Sequence, residues 1–403
     1  QQGDLIYDHL IRSGLLLDTI IGNTLVDMYG KFGRLEDACN LFDRLDEKNV
    51  VTWNALINGY VQHGSSEFAV LLFHRMQEEG INPDNVTLPC IISACSTSET
   101  LSQGRVLHSD ILKRGYTQDL AVSNALVHMY AEYRNFEDAC KVFNEIASTR
   151  NVVSWNVLIS GYAQLEKGYE ARHCFSQMQR EGISPDEITF SCMLKACGSI
   201  GDLDNGKEIH NEIVDRGLLE KNIVLGNALV DMYAKCDMIS KAQQVFESLL
   251  VQDVFSWTSF MVGYARLGET EKVCSLFEQM LGAGVKPDPV TFVVVLNACV
   301  RAGFFEFTRS YYELMSKGYG MMPNFQHNVC IIDLFARYGQ VDKAIEMIKK
   351  MPICSNATTW NIMLNACNNW GNLEFARKVF KHASVEKNSV TYVLMSHVCA
   401  GGK

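Results

Sequence analysis

A chain of 403 residues exceeds what one hydrophobic core usually organises, so it is either several globular domains or an elongated repeat array. Its composition, 47% apolar and 20% charged, is that of a folded protein, and no apolar run approaches the roughly 18 to 20 residues needed to span a bilayer, so no membrane partner is expected. A formal charge of −10 excludes nucleic-acid binding by bulk electrostatics, and 14 cysteines without a C-x-x-C pair are too dilute for a disulfide scaffold and fit a reducing compartment.

Taken in chain order, residues 1–18 read as the second helix of a hairpin, so any targeting segment is expected to lie outside this chain. Trp53, Trp155, Trp257 and Trp360 then recur every 102 or 103 residues, in VVTWNALINGY, VVSWNVLISGY, VFSWTSFMVGY and ATTWNIMLNAC. Between them alternate two further variants, NVTLPCIISAC, EITFSCMLKAC and PVTFVVVLNAC on one side, and GNTLVDMYGKFG, SNALVHMYAEYR and GNALVDMYAKCD on the other. Each unit carries apolar residues at helical spacing in two segments, such as Trp53, Leu56, Ile57 and Tyr60 followed by Phe68, Leu71, Leu72 and Met76. Turn glycines and the pairs Pro83-Asp84, Pro185-Asp186 and Pro287-Asp288 are expected to stop each second helix. One hairpin cannot bury its apolar faces, so neighbours must stack into a continuous core, an all-α, right-handed superhelical α-solenoid of helix-turn-helix repeats.

The alternation of 31- to 36-residue units resembles plant pentatricopeptide-repeat proteins of the P-L-S subclass rather than the constant 34-residue tetratricopeptide repeat. The resemblance covers essentially the whole chain and implies ten repeats at 19–49, 50–84, 85–119, 120–151, 152–186, 187–222, 223–253, 254–288, 289–324 and 325–356. The stretch from 357 to 403 resembles the start of the C-terminal E extension of RNA-editing members, cut off at Lys403.

No catalytic set is found, and no cofactor or metal is expected. A zinc deaminase needs H-x-E together with P-C-x-x-C, and only His210-Asn211-Glu212 is present. His210 shares its repeat position with His108, which marks it as part of the repeat. Cys95, Cys197, Cys299 and Cys367 share the eleventh position, where a small side chain permits close helix packing.

Columns that recur in position but vary in identity carry the functional reading. The fifth residue is Asn23, Asn54, Pro89, Asn124, Asn156, Ser191, Asn227, Thr258, Val293 and Val329; the last is Asn49, Asp84, Asp119, Asn151, Asp186, Asn222, Asp253, Asp288, Asn324 and Asn356. Such repeats read one base each through two or three side chains. The competing account is that the fifth residue merely sits in a first helical turn and the last caps the next helix. The family's code, as the resemblance implies it, assigns Asn with Asp to uracil, Asn with Asn to a pyrimidine, Thr with Asp to guanine and Ser with Asn to adenine. Repeats 19 to 288 would then read Y-U-N-Y-U-A-U-G, with no base assigned at Pro89, Val293 or Val329.

The second residue, Ile20, Val51, Val86, Ala121, Val153, Ile188, Val224, Phe255 and Val290, is apolar throughout and suited to sandwiching bases, or else to fixing the helix entry. The thirteenth is Lys31 in the first repeat and Lys235, Arg266, Arg301 and Arg337 in four consecutive later ones, a basic column that would hold phosphates or simply be a solvated face. The resemblance therefore implies a non-enzymatic, sequence-specific binder of single-stranded organellar RNA, not DNA, in a mitochondrion or plastid. It implies a site-recognition factor for C-to-U editing, with editing-factor proteins and a deaminase in trans or beyond Lys403. The alternatives are an RNA stability, processing or splicing factor with the same array, and a protein-binding helical scaffold.

Overall fold

The computed structural model describes residues 19–96, 101–338 and 389–401, with scattered positions between 340 and 380. The expected partial helix at 1–18, Asn356, Trp360, Cys367 and most of the extension from 357 lie outside the described residues. Among those described there is no strand: the architecture is the all-α one, helical hairpins stacked in sequence order as an α-solenoid.

The chain divides into two compact units, Gln1–Ile200 and Gly201–Lys403. In the first, Thr19–Lys31 pairs with Leu35–Arg44, Val50–Gln62 with Ser66–Glu78, Thr87–Ser96 with Leu101–Arg114, Leu120–Glu132 with Phe136–Glu145 and Val152–Gln164 with Gly168–Arg180; Glu187–Ile200 closes the unit. The second opens with Leu203–Asp215 and continues with Ile223–Lys235 and Ile239–Ser248, Val254–Leu267 and Thr270–Gly282, Pro289–Ala302 and Phe305–Glu313, then Phe325–Arg337 and Ser389–Gly401.

The alternating repeat length resides in the second helix. It has 10 residues in the short repeats (Leu35–Arg44, Phe136–Glu145, Ile239–Ser248) and 13 where Trp53, Trp155 and Trp257 occur (Ser66–Glu78, Gly168–Arg180, Thr270–Gly282). The longer helices are stopped by glycine rather than by the Pro-Asp pair, which follows three residues later. Gly80, Gly182 and Gly284 are left-handed, with φ of 76°, 74° and 75°. The next residue, Ile81, Ile183 or Val285, donates its N–H to the carbonyl of Met76, Met178 or Met280, so that a Schellman closure satisfies the end of the helix.

Each tryptophan locks one repeat onto its predecessor. Trp53, Trp155 and Trp257 are buried edge-on against Phe42, Phe143 and Phe246 of the preceding short repeat, with centroids 4.6, 4.7 and 4.7 Å apart. First helices also approach closely there. A Cβ on Gly59 would lie 2.9 Å from the Gly30 Cα, and one on Gly161 or Gly263 would lie 2.9 Å from the Cβ of Ala131 or Ala234. This explains the glycine in the N-G-Y, S-G-Y and V-G-Y triplets.

Candidate nucleic-acid interface

Among the described residues, the last residue of a repeat is the N-cap of the next first helix. Asn49 accepts from the N–H groups of Val51 and Thr52, Asn151 from Val153 and Ser154, Asp119 from Ala121 and Val122, Asn222 from Val224, Asp253 from Ser256 and Asp288 from Thr291. Asp84 and Asp186 do the same for Thr87 and Thr189. The capping account is therefore correct, but it is incomplete, because the same residue also meets the fifth residue of its own repeat.

Asn54 Nδ2 donates to Asp84 Oδ1 at 3.0 Å and Asn156 Nδ2 to Asp186 Oδ1 at 2.9 Å. Asn227 Nδ2 lies 3.1 Å from both oxygens of Asp253, and Asn23 Nδ2 lies 3.4 Å from Asn49 Oδ1. Four pairs expected to act together are thus in contact. Asn124 and Asn151 show no such bond among the described residues. Thr258 bonds to the Thr291 hydroxyl at 2.8 Å instead of to Asp288. Ser191 lies in Glu187–Ile200 of the first unit and Asn222 in the second. Burial works to raise Asp84 and Asp186, but hydrogen bonds from Thr87 and Asn54, or from Thr189 and Asn156, outweigh it and hold both carboxyls below the ordinary Asp value. Both are acceptors only at neutral pH.

Two positions after each cap stands the second-position residue, and at four junctions its N–H is bound by the cap side chain: Val51 to Asn49, Val86 to Asp84, Val153 to Asn151 and Val224 to Asn222. A residue serving only to fix the helix entry would be buried. This column is instead exposed, from 51% at Val153 to 76% at Ile20, with Val51, Val86, Ile188, Val224, Phe255 and Val290 between those limits. The local unit is a polar pair flanked by a solvent-facing apolar side chain, repeated along each unit.

A family model described as "PPR repeat family" matches residues 48–97, 150–199 and 252–301, and one described as "PPR repeat" matches 23–50, 122–148, 188–218, 227–254, 290–318, 329–354 and 358–383. The chain belongs to the pentatricopeptide repeat family. It is 37% identical over 401 residues to pentatricopeptide repeat-containing protein At2g33680 of Arabidopsis thaliana, covering 98% of this chain and 54% of that protein. It is 33% identical to the Arabidopsis thaliana pentatricopeptide repeat-containing protein CRR2, chloroplastic (98% and 61%), and 33% identical to At2g03880, mitochondrial (100% and 63%). The chain thus spans less than two thirds of these relatives. The crystal structure of the pentatricopeptide repeat protein PPR10 in complex with an 18-nt psaJ RNA element matches 95% of the chain and 58% of that protein, with a TM-score of 0.70 at 19% identity. That likeness confirms the solenoid fold.

In this pentatricopeptide repeat chain the basic column is less free than its sequence implies. Lys31 and Lys235 pair with Asp27 and Asp231 one turn back, each at 2.7 Å; Arg266 lies 4.0 Å from Asp237, and Arg301 reaches the Ala265 carbonyl at 3.5 Å. Arg337 ends the Phe325–Arg337 helix, and its side chain lies outside the described residues. The recurring histidines belong to packing, with His108 Nδ1 and His210 Nδ1 each 2.8 Å from the hydroxyl of Tyr130 or Tyr233 in the next repeat. Cys95, Cys197 and Cys299 are buried. No group of three or more His, Cys, Asp or Glu among the described residues is placed to hold a metal ion.

Sequence reasoning missed the third residue. Thr87 Oγ1 and Thr189 Oγ1 lie 2.6 Å from the amide oxygens of Asn54 and Asn156 in the preceding repeat. Thr391 repeats the contact with Asn361 at 2.7 Å. The signal was present in NVTLPC, EITFSC and PVTFVV, where Thr recurs at one place between apolar residues.

Proposed function

We propose that this chain binds single-stranded RNA in a sequence-specific manner, one nucleotide per repeat. The observation that carries the proposal is the exposed apolar column set beside the fifth-to-last polar pair. Water gains nothing from an unburied Val or Ile, whereas a base stacked between two of them shields both while its edge meets the pair. A protein-binding scaffold would require no such exposed apolar residue two positions after each cap. Lys31, Lys235, Arg266 and Arg301 supply phosphate contacts, since the solvent-reached ion pairs of Lys31, Lys235 and Arg266 and the 3.5 Å contact of Arg301 with the Ala265 carbonyl are weak enough to be exchanged. Arg337 is assigned the same role from its column.

Pairing the columns gives the ligand 5′-Y-U-N-Y-U-A-U-G-3′, read by Asn23 with Asn49, Asn54 with Asp84, Asn124 with Asn151, Asn156 with Asp186, Ser191 with Asn222, Asn227 with Asp253 and Thr258 with Asp288. In the family, the names of relatives such as CRR2 and At2g03880 carry the labels chloroplastic and mitochondrial, which supports an organellar RNA. The E-like stretch from 357 supports a role in placing a C-to-U editing activity over one cytidine, with the deaminase supplied beyond Lys403 or in trans. The array itself performs no chemistry. Binding of the 403-residue chain to an oligonucleotide of this sequence is expected to be tighter than to a scrambled one. Weak binding of equal strength to both would remove the proposal, and unaltered organellar editing after disruption of the gene would remove the editing role alone.

A further inference from the structure

The fifth-position asparagines are held in three different ways. In repeats 50–84 and 152–186 both ends of the amide are engaged: Asn156 Nδ2 faces Asp186 Oδ1 at 2.9 Å, and its Oδ1 faces Thr189 Oγ1 at 2.6 Å, as Asn54 faces Asp84 and Thr87 at 3.0 and 2.6 Å. A carboxylate only accepts, so the nitrogen must point to it, and the oxygen is turned towards the hydroxyl. In repeat 223–253 the nitrogen is held by Asp253, but Asn227 Oδ1 is buried without a partner. In 19–49 and 120–151 the oxygens of Asn23 and Asn124 are likewise unpartnered, and the last residue is an amide that can offer either sign of group. The third-position hydroxyls at these junctions reach the cap alone, Thr52 to Asn49, Ser154 to Asn151 and Ser256 to the Asp253 carbonyl, whereas Thr87 and Thr189 lie 2.8 Å from the Asp84 or Asp186 carboxylate and closer still, at 2.6 Å, to the asparagine oxygen.

We propose that Thr87 and Thr189 are positioning residues for base selection, each fixing the preceding asparagine so that its repeat presents only an N–H donor and prefers uracil to cytosine. The proposal rests on the reading that the fifth residue faces a base. One amide hydrogen goes to the aspartate, and the other is left for the ligand. Where uracil offers its O4 acceptor, cytosine offers an N4 amino donor, so a donor that cannot turn over rejects cytosine. An amide whose oxygen is unclaimed can rotate and accept from cytosine instead. Uracil-over-cytosine selectivity should therefore be highest at 50–84 and 152–186, intermediate at 223–253 and lowest at 19–49 and 120–151. Repeat 223–253 separates this idea from one in which the terminal Asp alone selects uracil, because it has the Asp and lacks the hydroxyl contact.

The test uses the 403-residue chain and oligonucleotides of the proposed sequence that differ only in U or C opposite one repeat. Thr189→Val should reduce the U-over-C ratio at repeat 152–186 by about fivefold or more, the scale of one lost direct base contact, while ratios at other repeats stay unchanged. Thr189→Ser, which restores the hydroxyl, should restore the ratio. A wild-type ratio in Thr189→Val overturns the proposal. Asn156→Ala is the control for the underlying reading: if it too leaves the ratio intact, Asn156 faces no base. If it erases the ratio while Thr189→Val does not, only the threonine role falls. Should Thr189→Val fail to fold by circular dichroism, the wild-type protein decides the matter, since equal U-over-C ratios at repeats 152–186 and 223–253, which share the terminal Asp, overturn the proposal.

Discussion

Asn156 donates to Asp186 across 30 residues of chain, from the first helix of a repeat to the cap of the next. One carboxylate thereby starts a helix and orients the side chain proposed to face a base. Changing the fifth residue leaves the cap in place, so specificity can change without loss of the fold. Thr258 shows what a threonine does in that column: it turns to the third-position hydroxyl of Thr291. Asn156→Thr should therefore fold normally, engage Thr189, and shift the preference of its repeat from uracil towards guanine by on the order of 1–3 kcal/mol. Equal loss of affinity for all four bases in a binding titration would show that the residue does not select.

The exposed apolar column predicts a separation of stability from binding. Val153→Ser and Ile188→Ser remove side chains that are mostly in water, so thermal midpoints should barely move. RNA affinity should fall by roughly 1 kcal/mol for each, the low end of what a base-stacking platform contributes. Fluorescence anisotropy on the same preparations checks both halves, and unchanged affinity would return the column to a purely structural role.

The hairpin turn offers a stabilising change. The fifteenth residue of each described repeat is left-handed: glycine at Gly33, Gly64, Gly201, Gly268 and Gly303, but Arg134, Glu166 and Asp237 at φ of 59°, 58° and 58°. A side chain in that region costs about 1–2 kcal/mol, partly offset by the greater freedom that glycine loses on folding, about 0.5–1 kcal/mol. Glu166→Gly should therefore stabilise by roughly 0.5–1 kcal/mol, and Asp237→Gly by less, because Asp tolerates this conformation better. Differential scanning calorimetry would show an upward shift in melting.

Three histidines predict a pH dependence: burial lowers the pKa of His327 as well, and His108 and His210, which share one repeat position, carry the rest. Burial lowers the pKa of both His108 and His210, and Nε2 of His108 is buried without a partner, so the folded protein favours the neutral ring. The unfolded chain binds a proton near pH 6.5, the folded chain only at lower pH. Stability is thus fully present above about pH 6.5 and is lost as pH falls through the folded values. The melting temperature should drop between pH 7.5 and 5.5, and His108→Asn with His210→Asn, which keep a polar atom near Tyr130 and Tyr233, should flatten that part of the curve. An identical slope in the double variant would refute the assignment.

Much of this was legible in the sequence because a repeat states each packing position several times. The Trp period located the hairpins, and the fifth and last columns proved to be in contact at four repeats. What was not legible depends on distances between repeats. Nothing in the string shows that Thr87 touches Asn54 while Thr52, three residues after its own cap, does not touch Asn23. Nor does it show that Lys31 and Lys235 fold back on Asp27 and Asp231. Of the two stop signals the sequence offered, turn glycine and the Pro-Asp pair, it did not show which acts: Gly80, Gly182 and Gly284 end the helix by adopting a left-handed backbone conformation, before the proline is reached.

The Trp53, Trp155 and Trp257 indoles occupy nearly equivalent sites, each with a buried, unpartnered ring N–H and a phenylalanine edge against it. Arg75 and Arg150 lie over the first two rings at 5.6 and 4.8 Å. Each indole is one residue away from the side chain assigned to a base. The protein therefore carries intrinsic fluorophores beside three of its proposed reading positions, and chains retaining one tryptophan at a time would emit at short wavelength and report, repeat by repeat, where a ligand first docks and which hairpin opens first on heating.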